Sequence, residues 1–144
     1  MTMDHMSQAQ SLLLRRLLGC LIPPGGPYDL PGADDPAIVA EVVITLTQRG
    51  VELAPLLDEL DDRDLADCST ASVQALVDRL RQVDGLAMDG LIVALTQCYY
   101  RNDRVLEQLA MEARPPFPKG FAVEEGDWSL LTPVRARGRI WRET

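Results

Sequence analysis

The run from Leu86 to Tyr100, LAMDGLIVALTQCYY, is apolar around nearly the whole circumference of a helix, which predicts a central helix covered by its neighbours. Met88, Leu91, Leu95 and Cys98 fall on one stripe at three- and four-residue spacing, Ile92 and Tyr99 widen it, and Val93 and Tyr100 begin an opposite face. Upstream, SQAQSLLLRRLLGCLI from Ser7 has the same period, with Leu13, Leu17 and Cys20 on one stripe and Leu14, Leu18 and Leu21 beside it. Pro23 and Pro24 stop it, because proline cannot donate to the helical ladder. The stretch from Pro23 to Pro36 is dense in Pro and Gly and predicts a structured loop. Its end, Asp35-Pro36, reads as an N-cap followed by a first-turn proline. A second helix follows with Val39, Val42, Val43 and Leu46 on its buried face, ended by Gly50.

A short helix over Glu52 to Leu60 then leads into DDRDLADCST. Ser69 or Thr70 opens a fourth helix with Val73, Leu76, Val77 and Leu80 facing inward, and Asp84-Gly85 turns the chain into the central one. Asn102 or Asp103 starts a last short helix, RVLEQLAME, ahead of Pro115. No internal repeat and no strand alternation occurs before this point. The fold class expected is all-α, a compact bundle of about five or six helices over 1–114, with residues 1–6 as a loose start.

From Arg114 the pattern changes to RPPFPKGFAVEEGDWSLLTPVRARGRIWRET, in which the prolines and glycines forbid long regular structure. Phe117, Phe121, Trp128 and Trp141 are not what a free linker carries. The expectation for 115–144 is an extended tail that either straps back over its own body or reaches a second protein. Its partner-binding residues would be Phe117, Phe121, Trp128, Arg135, Arg137, Arg139 and Trp141, with the three arginines on one side of an extended path.

Charge changes the picture at the same place. Residues 1–110 hold 8 basic and 17 acidic residues, whereas 111–144 hold 6 and 5. A net charge of -8 makes nucleic acid a poor partner. No run approaches the roughly 20 apolar residues of a membrane span. The three cysteines, Cys20, Cys68 and Cys98, are widely separated and odd in number, which predicts reduced, buried thiols and a cytoplasmic protein. Arg15-Arg16 and Leu17-Leu18-Gly19-Cys20 look superficially like export signals, but the arginines interrupt the one apolar segment that could serve, so an amphipathic first helix is the better reading.

Candidate chemistry is sparse. His5 is the single histidine, which leaves nucleophilic Ser-His or Cys-His catalysis without a base. Gly25-Gly26 and Gly32 match neither a P-loop nor a dinucleotide fingerprint. The acidic cluster Asp58, Glu59, Asp61, Asp62, Asp64 and Asp67 lacks the glycine and distal glutamate of a calcium loop, so a solvated face is expected. Carboxylate pairs such as Asp34-Asp35 and Glu124-Glu125 read as caps or surface. No catalytic, cofactor or metal residue is assigned to this chain.

Three segments resemble a known family. Leu21-Ile22-Pro23-Pro24 with Leu30-Pro31-Gly32-Ala33-Asp34 is similar to the opening of the gluconate 2-dehydrogenase subunit 3 family. Tyr99-Tyr100-Arg101-Asn102-Asp103-Arg104-Val105 resembles that family's tyrosine-bearing helix end, and Pro115 to Trp141 resembles its closing segment. The resemblance implies a noncatalytic small subunit that supports folding and stability of a larger flavoprotein of the glucose-methanol-choline type. That partner would carry FAD and oxidise a sugar or polyol. Members commonly begin with a twin-arginine signal, which this start does not reproduce. The alternatives are a free-standing all-α interaction or regulatory module, and a small enzyme whose site is not visible in the sequence.

Overall fold

The computed structural model describes residues 6–113, 120 and 126–137. The chain divides into two compact units, 1–114 and 115–144. In the first, α1 (Gln8–Leu21), α2 (Pro36–Gln48), α3 (Ala54–Asp58), α4 (Thr70–Arg101) and α5 (Asp103–Gln108) form an all-helical body. Among the described residues no strand occurs, and the sole β-type pairing is an isolated Gly25–Leu30 bridge within the loop before α2.

Local chemistry explains where α1, α2, α4 and α5 begin. Ser7 and Gln10 form a reciprocal capping box on α1, with Gln10 N donating to Ser7 Oγ at 3.1 Å and Ser7 N donating to Gln10 Oε1 at 3.0 Å. Asp35 accepts from Ala37 N at 3.0 Å ahead of Pro36, Ser69 caps α4, and Asn102 caps α5. The end of α2 is a Schellman turn. Gly50, at φ +65°, donates to Thr47 O at 3.1 Å while Val51 N reaches back to Leu46 O at 3.0 Å.

α4 spans 32 residues but is two helices joined at Asp84, whose φ of -150° and ψ of 95° are not helical. The Asp84 carboxylate accepts from Ala87 N at 2.9 Å and so caps the second half. This is the turn expected at Asp84-Gly85. Past the break, Met88, Leu91, Leu95, Cys98 and Tyr99 are buried, and Leu95 is 2 % exposed. α4 packs against α1, α2, α3 and α5. Its N-terminal half buries Leu76, Val77 and Leu80 as the period requires. In α2 the buried line is Ile38, Val42 and Leu46, with Val39 and Val43 only partly covered, so the face is turned slightly from the expected one.

The thiol expectation is corrected. Cys20, in the last turn of α1, and Cys68, just before α4, form a disulfide with Cα atoms 5.0 Å apart, and only Cys98 is a free buried thiol. Sequence spacing could not show this. The two cysteines, 48 positions apart in sequence, are brought together by α3 and the loop after it, where Arg16 pairs with Asp62 and donates to Leu65 O at 3.3 Å. In the second unit, Trp128–Leu131 is a 3-10 turn and Thr132–Ala136 is α6. The extended path expected there is therefore replaced by helical turns, started by the Asp127 carboxylate, which accepts from Ser129 N at 3.0 Å, and continued by Pro133 in the first turn of α6. Of the expected loose start at 1–6, residues 1–5 lie outside the described residues.

Two outcomes follow from this packing. Leu95→Asp places an unpaired carboxylate in the core, where it costs several kcal/mol, and should abolish the cooperative thermal transition seen by circular dichroism; an unchanged melting temperature would remove this helix from the core. Gly50→Ala should cost about 1 kcal/mol in urea unfolding. A Cβ there meets nothing within 4 Å, so the loss is conformational alone.

Candidate protein-binding surface

Two of the segments that carry the family resemblance, around Pro31 and around Tyr99, meet in the first unit. Tyr99 is buried, and its hydroxyl donates to Pro31 O at 2.7 Å. Arg104 pairs with Asp35 at 2.7 Å, and Gln108 Nε2 donates to Asp29 O at 2.9 Å. Arg101 Nε donates to Glu41 Oε1 at 3.0 Å. Gly32 sits where a Cβ would lie 2.9 Å from Pro24 Cδ and 2.3 Å from Asp34 Oδ1, and Ala33 beside it is fully buried. These positions clamp the Pro/Gly loop to the end of α4 and to α5. Burial raises the Tyr99 pKa above its ordinary value.

The opposite face of the central helix departs from the expectation of a covered segment. Leu86 is 89 % exposed, Val93 47 % and Tyr100 54 %. The spacing of seven residues puts all three on one line along the second half of α4. On α2, Ile44 is 55 % exposed. Polar links join these two helices: Arg49 to Gln97, Arg101 to Glu41, and Thr45 Oγ1 to Cys98 Sγ at 3.3 Å. The stripe lies on a rigidly held helix. Tyr100 also meets Tyr99 edge to face, with ring centroids 5.3 Å apart.

Of the partner residues expected in the tail, Trp128 opens the 3-10 turn and is 66 % exposed, accompanied by exposed Leu130 and Val134. Arg135 lies in the last turn of α6 and Arg137 caps its end. Two positions apart on helical backbone, they point in roughly opposite directions rather than sharing a side. Phe117, Phe121, Arg139 and Trp141 lie outside the described residues. The exposed line on α4 was missed as a candidate surface. Its signal is present in the apolar residues at 86, 93 and 100: Val93 and Tyr100 begin an opposite face in the sequence, but on a helix expected to be covered all round.

The acidic cluster is occupied in local structure. Asp58 accepts from Gln10, Asp62 pairs with Arg16, Asp64 pairs with Arg79 at 2.6 Å, and Asp67 accepts from the hydroxyls of Ser69 and Ser72. No group of three or more potential metal ligands occurs among the described residues, and no helix there is long and apolar enough to cross a membrane. Comparison with known protein families, characterised proteins and solved structures gives no match.

The acid side of the stability curve follows from these pairings. Hydrogen bonding to Arg79 and to Asp61 N–H lowers the Asp64 pKa below 3.8. Asp35 is also lowered: burial raises it, but the Ala37 N–H and Arg104 outweigh that. A depressed folded-state pKa gives stability that is complete above the unfolded value and is lost as pH falls through the folded one. Urea midpoints should thus be flat from about pH 7 to about pH 5 and fall below about pH 4, and Asp64→Asn should flatten that fall. A midpoint that falls equally steeply in the variant would deny Asp64 this role.

Proposed function

We propose that this chain is a noncatalytic small subunit that binds a larger FAD-dependent oxidoreductase of the glucose-methanol-choline type, active on a sugar or polyol, and supports its folding and stability. The observation that carries the binding role is the uncovered line Leu86, Val93 and Tyr100 on an otherwise well-packed body. Apolar side chains in a row on a fixed helix suit a protein partner. Exposed Trp128, Leu130 and Val134 in the second unit add anchors of the kind that dominate interfaces. The flavoprotein identity of the partner rests on the family resemblance alone. In this reading FAD belongs to the partner.

A second reading is a free-standing interaction module that pairs with itself, favoured by the seven-residue spacing at which helices associate side by side. The compartment is also part of the proposal. Reduced thiols were one ground for the cytoplasmic expectation, and the Cys20–Cys68 pairing instead favours an oxidising compartment.

Co-expression with the adjacent reading frame tests both. The expected outcome is a yellow complex with a larger chain, lost in the double variant Leu86→Asp, Val93→Asp. Because both positions are exposed, that variant should keep the parent stability within about 0.5 kcal/mol per site. A colourless homodimer broken by the same substitutions would favour the module, and a flavoprotein complex indifferent to them would remove the stripe from the interface.

A further inference from the structure

The disulfide has two unequal ends. Cys20 is buried in the last turn of α1, whereas Cys68 is exposed at the end of the loop that enters α4. Two surface grooves, of about 360 and 350 Å3, reach it from different sides, and both cysteines line both grooves. One runs past Arg15 and Leu65, the other past Pro23 and Val73. The disulfide therefore forms a shared wall between two openings rather than a link enclosed in the core.

We propose that the Cys20–Cys68 disulfide is a thiol-cleavable clasp, attacked at Cys68, that joins α1 to the start of α4 in a body that stays folded when the clasp is open. The co-reactant is a dithiol. Its first thiolate attacks the sulfur of Cys68, the exposed residue of the pair, the sulfur–sulfur bond breaks, and Cys20 leaves with the electron pair and takes a proton from solvent. The second thiol of the reductant then attacks the mixed disulfide and releases the Cys68 thiol. The reductant ends as its own disulfide, two electrons having passed to the protein. Access selects the sulfur, because exchange requires the incoming thiolate to reach the atom that it attacks.

The loop has other anchors, so opening is local. Leu60 and Leu65 are buried, Arg16 pairs with Asp62, and Arg79 holds Asp64 at 2.6 Å. None of these depends on the sulfur–sulfur bond. This device is independent of which partner the exposed stripe binds.

The test uses the full chain, purified in air, treated with glutathione under native conditions, then quenched in denaturant with iodoacetamide and digested with trypsin. Peptides 17–49 and 64–79 separate the two cysteines. Glutathione on 64–79 with the alkyl group on 17–49 is the expected result. Dithiothreitol should then free both thiols with helical circular dichroism retained. Amide exchange over 66–69 should rise by about tenfold or more while that of 91–99 stays unchanged. Glutathione on 17–49, no thiol release until denaturant is added, loss of helical signal on reduction, or a chain purified without the disulfide would each overturn the proposal.

Discussion

Burial of one face of α4 after Asp84 sets the terms for every other element. Leu91, Leu95, Cys98 and Tyr99 are removed from water almost completely, and each large apolar side chain so treated contributes roughly 1.5–3 kcal/mol. That face must be matched, and α2 matches it. Its alignment is fixed by polar contacts at the edge of the packed surface, with Glu41 on Arg101, Thr45 on Cys98 and Arg49 on Gln97. The break at Asp84 belongs to the same constraint. It gives the second half of the helix a start of its own, through the bond from Ala87 N to the Asp84 carboxylate, so that each half can present its apolar stripe independently.

The helical body was legible because its determinants are local. Apolar period, an Asp-Pro start, Ser and Asn caps and a glycine stop each act over a few residues, and each is found in place at Asp35, Ser69, Asn102 and Gly50. What was not legible depends on positions distant in sequence. The partnership of Cys20 with Cys68 exists because Arg16 and Leu65 hold a loop against α1, a fact of tertiary packing. The burial of Ile38 on α2 likewise depends on what packs against that helix. For the tail, counting prolines suggested an extended path, but Pro133 sits where a helix accepts proline without losing a bond.

Around Pro31 and Tyr99, the residues on which a resemblance to a small-subunit family was read do structural work here. Pro31 accepts the Tyr99 hydroxyl, Gly32 leaves room beside Pro24, Ala33 fills the core, and Asn102 and Arg104 tie α5 to α4 and to Asp35. Short motifs of this kind describe how a loop is closed over a helix end. They carry information about fold and none about a substrate, so the chemistry of any partner has to be sought on the surface.

On that surface the argument from α4 is one of alternatives. At Leu86, 89 % exposed, a charged or amide side chain would serve the isolated body as well as leucine does. The same helix carries Asp89, Thr96 and Gln97 at exposed positions, so polar residues are compatible with it. An exposed apolar side chain gains almost nothing from the monomer's own burial, since the hydrophobic contribution scales with area removed from water. Three such side chains at seven-residue spacing on a helix anchored at both ends hold that unused contribution in one fixed line. It is realised only if a second surface covers it, and the nearby polar links between α2 and α4 hold the line in shape.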